Sequence, residues 1–253
     1  MARTPRIRSE SGIYHIIMRG INRQNIFEDE EDSKRFINTL EKYKEPCGYE
    51  LYAYCLMGNH LHLLLKEGQE PLGQVMRRIC GSYVYWYNQK YDRVGNLFQG
   101  RYKSEPVEDD RYFLVALRYI FQNPTKAGIV ASVEDYEWCN YKEYLIKNRM
   151  TDVDFVFGLF HAKRELATKS FKEYINKENE DICMDIMDKT QIADKKAKEI
   201  IKRHCKIANA IDLQKLDIAT RNLYLKDLKE KYNLSIRQIE RLTGISRGIV
   251  TKQ

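Results

Sequence analysis

Two histidines separated by a single residue, His60 and His62, stand in the stretch Tyr54-Cys55-Leu56-Met57-Gly58-Asn59-His60-Leu61-His62-Leu63-Leu64-Leu65. The stretch reads as two strands joined by a tight Met57-Gly58-Asn59 corner. Side chains alternate along a strand, so His60 and His62 share one face while Leu61 and Leu63 take the other. Two imidazoles on one face can hold a cation between them, but such a pair is also compatible with two ordinary strand histidines. A second stretch, Leu117-Arg118-Tyr119-Ile120-Phe121-Gln122-Asn123-Pro124, favours the chemical reading. It reads as the end of a helix with Tyr119 and Asn123 one turn apart on one face. Two histidines, a helical tyrosine and an amide form a metal-plus-nucleophile set. A metal on the non-bridging oxygens of a phosphodiester offsets the charge that resists attack. A phenol is a poor nucleophile at its ordinary pKa of about 10, and a nearby metal lowers the barrier to its deprotonation. Neutral imidazoles and an amide leave coordination sites for water and phosphate. Oxygen ligation favours Mg²⁺ or Mn²⁺, while imidazole tolerates Zn²⁺. A covalent phosphotyrosine conserves the energy of the broken bond, which suits strand exchange better than hydrolysis.

These groups need rigid supports, and the flanking sequence supplies them. Gly12 to Arg19 is rich in β-branched and aromatic residues and reads as a first strand, left through the loop Gly20-Ile21-Asn22-Arg23-Gln24. Asp29 to Tyr43 reads as a helix with an acidic first turn, the apolar stripe Phe36, Ile37, Leu40 and Tyr43, and Pro46 and Gly48 at its end. Tyr49 to Leu56 and His60 to Lys66 are the second and third strands. Leu72 to about Tyr91 is a long helix with Leu72, Val75, Met76, Ile79, Tyr83 and Trp86 on one side. The aromatic run Tyr83, Tyr85, Trp86 and Tyr87 could stack on bases, although such a run on a helix is more often core. A loop, Gly95 to Tyr102, leads to a short strand over Ser104 to Glu108, and Asp109 or Asp110 caps the helix carrying Tyr119. Pro124 disfavours continuing that helix through Asn123. The order strand, helix, strand, strand, helix, strand matches the split βαβ, ferredoxin-like arrangement: an antiparallel sheet with helices on one face, in an α+β class. His15 alternates on the first strand and reads as structural.

The composition changes near Asn148, giving an expected domain over residues 1–147 and a helical region over 148–253. Lys169 to His204 reads as charged helix. At about 223–253, Ser235 caps a helix bearing Ile236, Ile239 and Leu242, Thr243-Gly244-Ile245 forms a turn, and Ser246 caps the next helix. That spacing is the spacing of a helix-turn-helix. The alternative is a plain helical hairpin.

Charge supports a polyanionic partner. Residues 1–150 carry 22 Lys and Arg against 20 Asp and Glu, whereas residues 201–253 carry 12 against 5, so the basic excess is C-terminal. A smaller cluster lies at Arg3, Arg6, Arg8, Arg19 and Arg23. Nucleic acid is the natural partner. Arg101 and Lys103 read as phosphate contacts, and Arg237, Arg241, Arg247 and Lys252 cluster around the helix-turn-helix. No apolar run approaches the length of a membrane span, and the N-terminus lacks a signal-peptide pattern. The six cysteines are scattered without a Cys-x-x-Cys, which argues against a zinc knuckle or disulfide framework and sets a reducing cytoplasm as the expectation.

With Gly58-Asn59-His60-Leu61-His62, Phe98-Gln99-Gly100-Arg101-Tyr102 and Tyr119-Ile120-Phe121-Gln122-Asn123-Pro124 present in this order, residues 10–145 resemble the REP-associated tyrosine transposases, relatives of the single-tyrosine HUH transposases. The opening Tyr14-His15-Ile16 through Arg19-Gly20-Ile21-Asn22-Arg23 is similar as well. The resemblance implies a ferredoxin-like nuclease domain, a divalent metal and single-stranded or hairpin DNA cleaved and rejoined through a 5′-phosphotyrosine. By position it implies His60 and His62 as metal ligands, Tyr119 as nucleophile and Asn123 as a third ligand. It also implies that the loop with Arg19, Asn22 and Arg23 holds a structured or guide segment of DNA. Thr125-Lys126 departs from the more usual Val-Arg after Asn-Pro. A homodimer is compatible with the sequence, with Tyr119 acting within its subunit or across the pair. Two other classes remain open on the sequence: a non-catalytic DNA-binding regulator using the helix-turn-helix, and a metal-dependent RNA endonuclease on the same sheet.

Overall fold

In the computed structural model, residues 6–146, 149–184, 194–232 and 234–252 are described. The chain divides into two compact units, residues 1–186 and 187–253.

The first unit is built on strand β1 (Ile13–Arg19), helix α1 (Glu30–Cys47), strands β2 (Glu50–Met57) and β3 (His60–Lys66), helix α2 (Leu72–Lys90), strand β4 (Lys103–Pro106) and helix α3 (Asp110–Lys126). The strands form one antiparallel sheet in the order β2-β3-β1-β4, the expected ferredoxin-like arrangement. Local chemistry sets the helix ends. Asp29 accepts from the Asp32 backbone N–H while the Asp32 carboxylate accepts from Asp29, a reciprocal cap that starts α1. Gly48, at φ 67°, closes α1 in the left-handed region where glycine carries no steric cost. The Asp109 carboxylate accepts from the Tyr112 N–H and starts α3.

Helices cover both faces of this sheet, not one. Leu61, Leu63, Leu65, Ile16 and Met18 bury one face against α1 and α2, through Phe36, Leu40, Val75 and Ile79. Ile13, Tyr52, Ala53, Cys55 and Leu64 bury the opposite face against Phe113, Ala116, Leu117, Ile120 and Phe121 of α3. The reason lies in the strands, whose residues are apolar on both sides, so each face requires a cover. A bulge between Leu51 and Ala53 shifts the register of β2, and Tyr52 and Ala53 both join the α3-side core.

Helix α3 runs past Asn123 and through Pro124 to Lys126, one turn beyond the expected stop. Proline has no N–H to offer the preceding turn. Side chains add bonds around that turn: Asn123 Nδ2 donates to the Tyr119 carbonyl at 3.0 Å and Thr125 Oγ1 donates to the Gln122 carbonyl at 2.8 Å.

Residues 149–184 belong to the first unit, so the division falls well beyond the expected 147/148 boundary. Helices α4 (Val153–Gly158) and α5 (Arg164–Asn176) place Val156, Phe157, Phe171 and Ile175 in the α3-side core. Phe171 stacks on Tyr144 with centroids 4.5 Å apart. The charged composition of this segment sits on its outer surface. Only part of the expected Lys169–His204 helix is helical, because α5 ends at Asn176; residues 185–193 lie outside the described residues.

The second unit contains α6 (Asp194–Cys205), α7 (Ile218–Glu230), α8 (Ile236–Thr243) and α9 (Arg247–Lys252) around Ile201, Leu213, Leu225, Leu228, Ile239 and Val250. Ser235 Oγ accepts from the Gln238 N–H at 3.2 Å and caps α8; Gly244, at φ 73°, terminates it. None of the described helices is long and apolar enough to cross a membrane.

Candidate active site

Three separated stretches converge at one end of the sheet. Gly20 N–H donates to the Asn59 carbonyl at 2.9 Å, and the Ile26 N–H donates to the Gly58 carbonyl at 2.8 Å. These bonds tie the exit of β1 to the β2–β3 corner. Gly20 also bridges to Phe98, and the Gln99 N–H donates to the Arg19 carbonyl at 2.8 Å. A side chain at Gly20 would collide with the Gln24 carbonyl, since an added Cβ would lie 2.1 Å from that oxygen. The first-strand loop, the histidine corner and the Phe98-to-Tyr102 loop are therefore one packed structure.

On this support, His60 and His62 face the same side of β3 with ring centroids 5.3 Å apart. His62 is fully buried and His60 half-buried. Helix α3 sets Tyr119 against His62: its ring meets that histidine edge-on, with centroids 5.8 Å apart and planes at 71°. Tyr119 is 9% exposed, so little of its surface reaches solvent. Lys126 Nζ stands 5.5 Å from the Tyr119 ring centroid and donates to Asn179 Oδ1 at 3.2 Å.

A third histidine completes the cluster. His15, read from the sequence as structural, is fully buried on the same face, with its Nε2 3.1 Å from His62 Nδ1. Its ring lies 6.1 Å from Tyr119. The periodicity of β1 places His15 in phase with Ile17 and Arg19. The missing information was the register, in which Ile17 pairs with His62 and Arg19 with His60. Sequence reasoning also missed Glu105, which pairs with His15 across β1 and β4, and Asn59, whose Oδ1 is 2.7 Å from His60 Nδ1.

The site's fit to a divalent cation rests on His62. Burial, then the neighbouring His15 and His60, hold its pKa well below the ordinary imidazole value, so the ring is neutral at physiological pH. Its Nε2 is buried with no hydrogen-bond partner in the protein. A buried, unpaired imidazole nitrogen beside a second histidine is the donor arrangement a cation takes. Among the described residues no group of three His, Cys, Asp or Glu side chains could hold a metal, so a third protein ligand would have to come from another donor type. Asn123 is half-buried and one N–H of its amide donates to the Tyr119 carbonyl, so Oδ1 is the atom with which this side chain could ligate.

The expected DNA contacts fall in separate places. Arg19 is half-buried opposite His60, while Asn22 and Arg23 are exposed on the adjoining loop with φ of 52° and 64°. Arg101 and Lys103 line an open groove of about 420 Å³ with Arg6, Tyr102, Ser104 and Met184. The Arg6 guanidinium lies 3.6 Å over the Tyr102 ring and donates to the Tyr102 carbonyl at 3.1 Å. In the second unit Arg237 is exposed, whereas Arg241 pairs with Asp194 at 2.6 Å and Arg247 with Glu240 at 2.5 Å. Tyr83 and Tyr87 are buried, which removes them as base-stacking candidates, whereas Tyr85 is exposed.

Residues 9–123 match the family described as transposase IS200-like. Over that segment, somewhat less than half of the chain, the protein is similar to the IS200-like transposases. Within it, the resemblance is to the REP-associated tyrosine transposases. A protein of Haemophilus influenzae named as one of these is 27% identical over 122 residues, which are 42% of this chain and 69% of that protein. The solved structure of a REP-associated tyrosine transposase bound to a REP hairpin matches with a TM-score of 0.50 and 18% identity, covering 61% of this chain and 90% of that one. That likeness is one of fold. A crystal structure from Deinococcus radiodurans named as a transposase covers 53% of this chain and 97% of its own at 20% identity, but its TM-score of 0.34 adds no argument.

Proposed function

We propose that this protein is a divalent-metal-dependent endonuclease and strand transferase. It cuts single-stranded DNA beside a hairpin and rejoins it through a 5′-phosphotyrosine on Tyr119. The observation that carries this reading is the packing of the Tyr119 ring against His62, within the cluster that holds His60. Nucleophile and cation donors share one enclosed spot on rigid elements, as attack on a held phosphate requires.

His60 and His62 would hold Mg²⁺ or Mn²⁺ through their neutral rings, with Asn123 as the third protein ligand. When bound, the cation neutralises phosphate charge and orients the phosphodiester. The remaining chemistry belongs to the chain. Tyr119 passes its phenolic proton to solvent water, and its oxygen attacks phosphorus. The P–O3′ bond breaks and the 3′ oxygen takes up a proton from solvent, leaving the 5′ phosphate on Tyr119. The reverse step, from another 3′ hydroxyl, rejoins DNA without a nucleotide cofactor.

Arg19, Asn22 and Arg23 adjoin the site and would hold the structured DNA segment, while Arg101 and Lys103 would track the strand's phosphates along the β4 groove. Residues 223–253, with Arg237, Arg241 and Arg247, would act as a helix-turn-helix adding affinity. The test is incubation of end-labelled hairpin DNA with protein and Mn²⁺, followed by a denaturing gel. A slow-migrating, protease-sensitive DNA–protein adduct that maps to Tyr119 is the expected product. Metal-dependent cutting of RNA without an adduct, or DNA binding without any cutting, would replace this reading with one of the two alternatives.

A further inference from the structure

The geometry points to His15 as a positioning residue that fixes which ring nitrogen His62 presents to the site, with Glu105 fixing His15 in turn. The inference takes its functional meaning from the metal reading above, although its own content is the tautomer of His62.

His15 Nε2 and His62 Nδ1 are 3.1 Å apart, and the two rings stack with centroids 5.3 Å apart and planes at 21°. One of those two nitrogens must carry the proton between them. If His62 donates from Nδ1, its Nε2 keeps a lone pair for a ligand. If His15 donates instead, His62 Nε2 carries a hydrogen and cannot bind a cation.

Two observations select the first arrangement. His62 Nε2 is buried with no hydrogen-bond partner, so an N–H in that position would be an orphaned donor, whereas an N–H at His15 Nδ1 would face a carboxylate. At the other side of His15, Glu105 Oε2 lies 4.0 Å from Nδ1. A carboxylate there favours a proton on His15 Nδ1 and so leaves His15 Nε2 as the acceptor. Glu105 is itself held in place: its Oε2 accepts from Tyr112 Oη at 2.5 Å and from the Met184 N–H at 3.2 Å.

Glu105, His15 and His62 thus form a chain across β4, β1 and β3, and it ends with the Nε2 lone pair of His62 turned to the site. His60 is oriented by a separate route, since its Nδ1 lies 2.7 Å from Asn59 Oδ1 and donates to it. His15 Nε2 meets His62, and its Nδ1 lies 4.0 Å from the Glu105 carboxylate, within electrostatic reach but longer than a hydrogen bond. Outer partners of this kind set the orientation and tautomer of ligating histidines generally.

The experiment uses the full chain, ¹⁵N-labelled and metal-free, with long-range ¹H–¹⁵N correlation to read the His62 tautomer, followed by Mn²⁺ titration. In the unsubstituted protein His62 should be protonated at Nδ1 and bare at Nε2. His15→Phe keeps a ring in the space and removes the acceptor, so His62 should shift toward the Nε2–H form. Mn²⁺ affinity should then fall about 10–100-fold. His15→Gln, whose carbonyl can accept from Nδ1–H, should restore the tautomer and most of the affinity. Unchanged His62 nitrogen shifts in a folded His15→Phe variant, or an Nε2–H form in the unsubstituted protein, would overturn the inference. If His15→Phe does not fold, Glu105→Gln decides it, since loss of the carboxylate should raise the Nε2–H population of His62 and an unchanged population refutes the chain. The tautomer is read without metal. Absence of Mn²⁺ binding by the unsubstituted protein would therefore remove the metal reading while the tautomer result stands or falls alone.

Discussion

The ring of Tyr119 stands edge-on to His62, centroids 5.8 Å apart, and joins helix α3 to strand β3 at the candidate site of the first unit. Tyr119 and His62 are 57 residues apart in sequence, so this contact exists only because α3 covers the face of the sheet opposite α1 and α2. The same packing that buries Phe113, Leu117 and Ile120 sets the position of the phenol. Fold stability and the placement of the Tyr119 ring are consequently coupled.

Tyr119→Phe removes one oxygen and keeps the ring against His15 and His62. Its melting temperature should stay within a few degrees of the unsubstituted protein, as expected for a change of about 1 kcal/mol or less. Hairpin DNA should bind with its affinity nearly unchanged, and no covalent adduct should form. A gel-shift assay paired with a denaturing gel checks both halves. An adduct in this variant, mapped by mass spectrometry to another tyrosine, would remove Tyr119 from its role.

The two histidines should separate by stability. His60 is half-buried, so His60→Ala should unfold at nearly the original denaturant midpoint while losing Mn²⁺-dependent cleavage. His62 is fully buried between His15 and Tyr119, so His62→Ala opens a cavity and should cost about 1–3 kcal/mol in addition to abolishing cleavage. Urea melts of the two variants, alongside cleavage assays with added Mn²⁺, provide the comparison. Retained cleavage in the double variant would end the metal assignment.

The length at which the chain is cut should matter. A chain ending at residue 186 keeps α4 and α5 on the α3-side core and should fold and nick DNA. A chain ending near residue 150 removes Val156, Phe157, Phe171 and Ile175 from that core and uncovers Phe121, Tyr141 and Tyr144. It should aggregate or melt far lower. The 186-residue chain should also bind DNA with a shallower salt dependence, because every phosphate left without a protein cation lowers the slope of log K against log salt by about 1. Equal salt slopes for the full and 186-residue chains would deny the second unit a part in binding.

Much of this architecture was legible because its signals are local. Strand ends coincide with Gly12, Gly20 and the Gly58-Asn59 corner, and helix starts with Asp29 and Asp109, whose caps the structure contains. The remainder depended on long-range pairing. Nothing near His15 in the chain announces that Ile17 will pair with His62, yet that register turns a strand histidine into a member of the site. The residues around Phe157 and Phe171 read as the start of a second domain because their charges are conspicuous, while their buried faces depend on an α3 surface about fifty residues away. Pro124 read as a stop because its missing hydrogen bond is visible in sequence, whereas the side-chain bonds of Asn123 and Thr125 around that turn are not.

The last prediction concerns what the groove accepts. Arg101 and Lys103 line an open groove at the edge strand β4, and Arg6 is stacked on Tyr102 beside them. Tyr119, by contrast, is almost wholly enclosed. A phosphate must enter that enclosure to meet the phenol, and a stacked duplex cannot bend its backbone inward without unpairing. An unpaired strand can turn one phosphate toward Tyr119 while its neighbours stay on the exposed cations. Single-stranded DNA flanking a hairpin should therefore be cut, and the same sequence as a perfect duplex should be cut at least tenfold more slowly. Arg101→Ala and Lys103→Ala should each weaken binding severalfold and lower the salt slope by about 1 without altering the rate at saturating DNA. Parallel cleavage time courses on hairpin, duplex and matching RNA, with binding measured at three salt concentrations, test the whole argument. Comparable cutting of the duplex would mean that the enclosure around Tyr119 does not select the strand, and an unchanged salt slope in both variants would remove the β4 groove from the DNA path.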